Sequence, residues 1–215
     1  MKGLLVKDLR LALKRKQQLF ILLAVCAMIA FTSDGSFIVA YAAGLTGILG
    51  LSTFAYDEHD NGLPFLLSLP VDAKTYVREK FLFCTLADLA GTALGTGLYF
   101  AACSTTGKMD VFREDLPYLA LYVPSTLLLI FSVLLIQMKF GIERSRLITF
   151  LLYGFLFVLA AVIVKTVGPL DQKQIDLPGW VNNPCFIAAG AFAVTAVLCS
   201  ALYRIGVWIM KNKEF

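Results

Sequence analysis

The sequence predicts an all-α integral membrane protein with six transmembrane helices, a surface helix before the first of them, and a polar loop between the second and third. Composition is the first observation: of the 215 residues, 59% are hydrophobic and 16% charged, and the mean hydropathy is +0.77. These values lie outside the range of soluble globular proteins. The second observation is that the hydrophobic residues form long continuous runs, whereas the strands of a membrane barrel alternate apolar and polar residues.

Residues 1–16 have a helical pattern of their own. Three basic residues, Lys7, Arg10 and Lys14, fall opposite an apolar face, while Leu4 and Leu11 fall outside that face. The apolar face consists of Leu5, Val6, Leu9, Ala12 and Leu13. The pattern predicts an amphipathic helix lying in the membrane interface, and we prefer this to a cleaved signal peptide.

Six apolar runs follow, most of them near the ~20 residues that cross a bilayer as a helix. They cover residues 19–32, 37–56, 81–103, 116–138, 147–168 and 185–210. The first run is short and ends at Asp34-Gly35-Ser36, so it could also form a tight hairpin with the second. We treat residues 1–215 as a single transmembrane domain.

The basic residues predict the orientation. Most of the 19 lysine and arginine residues fall before the first run, between the second and third, between the fourth and fifth, or at the end of the sixth. The exceptions are Lys108, Arg113, Lys165 and Lys173. Because basic loops stay on the inner side of a membrane, both termini are expected in the cytoplasm. Anionic lipid headgroups account for the net charge of +4 without a nucleic acid partner.

Two oppositely charged residues inside predicted spans could form a pair. Asp88 lies in the third run and Arg204 in the sixth, and a charge at such a depth needs water or a partner. We expect the two to form a buried pair, and the alternative is that Asp88 lines a transport pathway. Small residues at Gly91 and Gly95 form a GxxxG pattern that predicts close helix packing or a dimer seam.

Signs of an enzyme or a metal site are missing from the sequence. It has no GxSxG, no HExxH and no phosphate-binding loop, and the five cysteines show no metal-ligand spacing. A disulfide between Cys103 and Cys185 is conceivable. The single histidine, His59, lies beside Asp57 and Asp60 in a loop, where solvated side chains are expected. No catalytic residue, cofactor or metal is predicted.

The loop that joins the second and third runs, residues 57–80, interrupts the apolar pattern. Asp60 or Asn61 could cap a short helix that ends before Pro70, and Asp72 could cap a second helix that continues into the third run. The short helix is almost entirely apolar. Its apolar residues are Leu63, Phe65, Leu66, Leu67 and Leu69. A helix of this kind is expected to dock, either against its own bundle or into a partner.

In this order of elements the chain resembles the membrane subunits of type 2 ABC exporters, and is most similar to short bacterial permeases such as those of the phenol-soluble modulin exporter group. The local signals are Asp57-Glu58, Ser68-Leu69-Pro70, Tyr76-Val77 and Lys80. The resemblance implies that residues 57–80 contain a cytoplasmic coupling helix, which inserts into a groove of a separate ATPase. The apolar residues of the short helix would enter the groove, and Asp57, Glu58 and Arg78 would lie at its rim.

The resemblance also implies the assembly: two copies of an ATPase subunit and a second permease, either the same chain or a close paralogue, in the bacterial cytoplasmic membrane. The lipid bilayer is a further partner. ATP binding would move the coupling helices and rearrange the spans to expel a substrate. The apolar bundle suggests an amphipathic peptide or another hydrophobic molecule as that substrate.

Two other functions stay open at this point. One is a six-span secondary transporter or channel that uses Asp88 as an ion or proton site. The other is an immunity or sensor protein that binds a peptide at the membrane without transporting it.

Overall fold

The computed structural model describes residues 2–14, 16–32, 36–58, 62, 72–167 and 184–212. Within these ranges all regular structure is helical, in eight helices. They are α1 (Lys2–Lys14), α2 (Lys16–Thr32), α3 (Phe37–Glu58), α4 (Ala73–Thr106), α5 (Met109–Leu119), α6 (Tyr122–Phe140), α7 (Ile142–Val167) and α8 (Pro184–Asn212). The predicted all-α class is confirmed.

Among the residues that the structure describes, four stretches are long and apolar enough to cross a membrane. They are Phe37–Glu58, Ala73–Thr106, Tyr122–Phe140 and Phe186–Asn212, within α3, α4, α6 and α8. The apolar part of α2, Leu19–Ala30, is shorter. A multi-pass membrane protein is therefore supported, and the count of six spans stays a prediction.

The long helix α4 joins the polar loop to the membrane without a break. It begins at Ala73, directly after Asp72, whose backbone is extended, and it runs for 34 residues to Thr106. The predicted start of this helix is therefore confirmed, although the Asp72 side chain makes no capping hydrogen bond. A movement at the start of α4 can be carried along a continuous rod of ~50 Å at 1.5 Å per residue.

The GxxxG pattern of α4 packs against α3 of the same chain. A Cβ atom on Gly91 would lie 1.9 Å from the Thr46 hydroxyl oxygen, and one on Gly95 would lie 2.8 Å from the Val39 Cα atom. Such distances leave no room for a side chain, so the two backbones are in direct contact. The prediction of close packing is confirmed, and because this face is occupied by α3 of the same chain, it is not free to form a dimer seam.

A short amphipathic helix, α5, follows α4 where the sequence suggested only a loop. Phe112 packs against the rings of Tyr99 and Phe100, and Tyr99 donates a 2.6 Å hydrogen bond to Asp115. These contacts hold α5 against the end of α4. Cys103, near that end, is a free and buried thiol, so the disulfide considered from the sequence is not formed.

The core lies between α3, α4, α6 and α8. Phe54, Val77, Leu134 and Met138 are fully buried there, and Phe81 stacks on Phe131 with ring centroids 4.5 Å apart. Outward-facing residues of α7 are strongly exposed and apolar, as expected for a surface that faces lipid.

Candidate functional site

We call one end of the bundle the basic end: α1 lies there, α3 and α6 end there, and α4 and α7 begin there. The loop that follows α3 leaves from this end and returns to it at Asp72. The predicted short helix, with Leu63, Phe65, Leu66, Leu67 and Leu69, lies outside the described residues. The two flanks of the loop are described, and they carry a cluster of buried charges.

Lys80, on the second turn of α4, lies at the centre of this cluster and is 1% exposed. Its ammonium group binds the carboxylates of Asp8 and, at 2.7 Å, Asp57. It also donates to the hydroxyl of Thr53 over 3.2 Å. A lysine ammonium has three N–H donors. All three are therefore satisfied, which is the condition under which a buried charge is tolerated.

Asp57, one of the two acids that leave α3, is equally well partnered. Its carboxylate accepts hydrogen bonds from Lys7 over 2.5 Å and from the Tyr76 hydroxyl over 3.0 Å, in addition to its ion pair with Lys80. The residue is 6% exposed. The expectation that Asp57 lies at an exposed rim is therefore wrong, because its side chain turns inward and joins α3 to α1 and α4.

Helix α1 is held in this cluster by Asp8, which is fully buried although it lies on a surface helix. Asp8 binds Lys80, and the neighbouring Lys7 binds Asp57. Leu4 and Leu11, which fell outside the apolar face in the sequence, are half-buried on the side of Asp8. Three residues of the predicted apolar face, Val6, Leu9 and Leu13, are exposed, on the side of α1 where lipid is expected. The helix therefore presents one side to the bundle and another to the membrane.

Glu58, the second acid, points to a different part of the bundle. Its carboxylate accepts a 2.9 Å hydrogen bond from the backbone N–H of Ile142, the first residue of α7. That N–H is one of the unpaired donors at a helix start, so Glu58 acts as a cap supplied by a distant helix. The capped turn borders a cleft of about 590 Å³. Its lining includes Glu58, Gly141, Arg144 and Arg146.

Gly141 makes this contact possible. Its φ of 76° and ψ of 170° belong to a backbone region open almost exclusively to glycine. A Cβ atom there would also lie 2.9 Å from a Glu58 carboxylate oxygen. Any side chain at position 141 would therefore disturb both the turn between α6 and α7 and its link to the end of α3.

Arg78 is exposed on the first turns of α4, and its place at the rim of an ATPase groove stays a prediction. The charged residues at the two ends of the loop thus have separate roles. Asp57 binds α1 and α4, Glu58 binds the start of α7, and Arg78 faces outward. The ends of the loop are joined to three helices besides α3, so a displacement of the loop can act on each of them.

Asp88 and Arg204 do not form the expected pair. Asp88 is fully buried and has no ion-pair partner among the described residues, although the Thr126 hydroxyl lies within hydrogen-bonding reach of its carboxyl group. Gly206 of α8 packs against Val77 and Phe81. Because two residues turn a helix by ~200°, Arg204 points away from α4, and it is exposed. The contact with Phe81 also places this part of α8 ~10 Å from the level of Asp88.

Asp8 and Glu79 are the residues of this site that the sequence reasoning missed. Both are fully buried. A signal for Asp8 was present, because Leu4 and Leu11 lie on the same side of α1 and would have indicated a second buried face. Glu79 directly precedes Lys80 in the sequence, and no local pattern distinguishes it from a solvated residue of the loop.

Comparison with protein families gives a match over nearly the whole chain. A family model described as ABC-2 family transporter protein matches residues 3–211. The comparisons with curated proteins and with solved structures found no match.

Proposed function

The chain belongs to the ABC-2 family of transporter proteins, and from this we propose that it is the permease subunit of an ATP-driven exporter. The family accounts for the multi-pass helices and implies an ATPase partner. The finer assignment, to short bacterial permeases such as those of the phenol-soluble modulin exporter group, rests on the local resemblance at residues 57–80. An amphipathic peptide or other hydrophobic molecule is the proposed substrate.

The observation that carries the coupling mechanism is the division of contacts between Asp57 and Glu58. Asp57 joins the end of α3 to Lys7 and Lys80, and Glu58 joins it to the N–H of Ile142. A partner that moves the loop would therefore pull on α1, α4 and α7 together. This arrangement supports the proposal that residues 57–80 receive force from a separate ATPase.

In the proposed assembly, two ATPase subunits bind two permease chains, each through one loop. The permeases are two copies of this chain or this chain and a close paralogue. The basic end faces the cytoplasm of a bacterium, where ATP is available, so both chain termini are cytoplasmic. Phe65 and the leucines at 63, 66, 67 and 69 fill the groove of the ATPase, and the exposed Arg78 and the partly exposed Glu58 orient it.

One observation favours a second candidate function, an ion-coupled transporter or channel. Asp88 is a buried carboxyl group without an ionic partner among the described residues, and such a group is a common proton or ion site in membrane proteins. If this function is correct, the purified chain in liposomes should pass protons or cations without any ATPase, and Asp88→Asn should abolish that flux. Flux that requires the ATPase and ATP would support the exporter.

The exporter proposal is tested by Phe65→Ala in the chain co-expressed with its ATPase subunit. Burying a large apolar side chain contributes roughly 1.5–3 kcal/mol, so we expect the ATPase to co-purify ~10- to 100-fold more weakly. The melting temperature of the permease alone in detergent should not change. A matched control is Phe150→Ala, since Phe150 is 77% exposed on α7, far from the loop.

The opposite result would contradict the proposal. If the loop packs against its own bundle, Phe65→Ala should lower the melting temperature and leave the co-purification of the ATPase unchanged. Equal weakening by Phe65→Ala and Phe150→Ala would show that the effect is not specific to the loop.

A further inference from the structure

The charges buried at the basic end do not balance. Two lysines, Lys7 and Lys80, face three carboxyl groups, those of Asp8, Asp57 and Glu79. Asp8, Glu79 and Lys80 are at most 1% exposed. An uncompensated charge is strongly unfavourable in such surroundings. With every group ionised the cluster would carry a net charge of −1, and one bound proton would make it neutral.

The hydrogen bonds indicate which groups share that proton. Asp57 has three donors, whereas both oxygens of Glu79 have no donor among the described residues, and the Oδ1 atom of Asp8 has only an ion-pair contact with Lys7, at 3.3 Å and without hydrogen-bond geometry. The carboxyl groups of Glu79 and Asp8 nevertheless lie within hydrogen-bonding reach of each other. Two ionised carboxylates have no hydrogen to share, so they form a hydrogen bond only when one of them is protonated.

The titratable groups that surround Glu79 come from three helices. They are Lys7 and Asp8 of α1, Asp57 of α3, and Tyr76, Lys80 and Cys84 of α4. Both lysines are engaged by Asp8 and Asp57, so Glu79 has no cation of its own. Within the described residues no group of acids, cysteines and histidines suits a metal ion, so a metal does not account for the cluster.

We propose that Glu79 and Asp8 share a single proton, and that this proton is bound only while α1 is docked against α4. Undocking would expose both carboxyl groups to water, where a glutamate loses its proton above about pH 4.3. Docking of the N-terminal helix and binding of a proton are thus linked. This inference concerns the fold of the basic end and holds whatever the chain transports.

The linkage has a definite sign. The docked state binds one proton more than the undocked state, so raising the pH above the ordinary range of a glutamate favours undocking. The stabilisation by α1 is complete at low pH and is lost as the pH rises. Glu79→Gln should remove this dependence, because a neutral amide can donate to Asp8 at every pH.

The test is the melting temperature of the full chain in detergent between about pH 5 and about pH 8, for the natural protein and three variants. The natural protein should melt lower as the pH rises, and Glu79→Gln should flatten that slope while folding normally. Asp8→Asn should melt lower at low pH, because Lys80 then keeps only one of its two carboxylate partners. Glu114→Gln is the matched control, since Glu114 is exposed on α5, and it should keep the natural slope.

Hydrogen exchange of α1, corrected for the intrinsic effect of pH on exchange, provides a local measurement. Protection of residues 2–14 should fall at high pH in the natural protein and persist in Glu79→Gln. The proposal is overturned if Glu79→Gln fails to fold, if it retains the natural pH slope, or if α1 is equally protected at both ends of the pH range.

Discussion

Lys80 and Asp88 lie on the same helix, eight residues apart, and both are almost completely buried, yet their surroundings are opposite. Lys80 has an acceptor for each of its donors. Asp88 has no ionic partner among the described residues, and only a hydroxyl, that of Thr126, is within its hydrogen-bonding reach there. At the basic end, ion pairs hold α4 against α1 and α3. In the middle of α4, backbone contact at Gly91 and Gly95 holds it against α3.

The largest effect is expected at Lys80. Lys80→Met removes the central cation of the buried cluster and leaves Asp8 and Asp57 to share the partly exposed Lys7. We expect it to lower the free energy of unfolding by about 3–5 kcal/mol, measured by denaturant titration in detergent. Lys74→Met is the control, because Lys74 is exposed on the first turn of α4. Equal stability of the two variants would mean that the cluster does not hold the basic end together.

An intermediate effect is expected at Gly91. Gly91→Ala would place a methyl group against the Thr46 hydroxyl and 2.8 Å from the Ala42 carbonyl oxygen, and the backbone cannot yield cheaply. The same denaturation assay should show a loss of about 1–3 kcal/mol. Gly97→Ala is the matched control, since no atom lies within 4 Å of its added Cβ, and it should be neutral or slightly stabilising. A tolerated Gly91→Ala would contradict the close contact of α3 and α4.

The smallest effect is expected at Asp88. Asp88→Asn breaks no ion pair among the described residues, so its stability should stay within about 1 kcal/mol of the natural protein. Asp57→Asn is the contrasting variant, and it should be clearly destabilising because Asp57 binds two lysines. If Asp88→Asn lost as much stability as Asp57→Asn, Asp88 would have an ionic partner, and the contrast between the two parts of α4 would disappear.

The sequence predicted where the helices begin and pack better than it predicted which side of each helix faces its neighbours. The start of α4 after Asp72 and the close packing at Gly91 and Gly95 follow from local signals, namely a helix-starting residue and small residues four apart. Which side of a helix faces its neighbours depends on the whole bundle. The pairing of Asp88 with Arg204 was wrong for this reason, because Gly206 takes the inward position on α8.

The buried cluster could be predicted only in part for the same reason. Asp57 was identified as important, but its direction depends on Lys7 and Lys80, which are distant in sequence. Asp8 was missed because the exposed leucines of α1 form the more obvious apolar face, while its inner face contains a charge. A buried acid is recognised from a sequence only when its basic partner is known to lie nearby.

The central claim is that the loop between α3 and α4 passes movement of the ATPase to the helices of the basic end. The most direct test is the distance between spin labels at Arg10 on α1 and Glu143 on α7, both exposed, in a chain whose five cysteines are replaced. In the complex with the ATPase, ATP trapping should shift this distance, and Phe65→Ala should abolish the shift. An unchanged distance in the natural loop, or a shift that persists in Phe65→Ala, would contradict the claim.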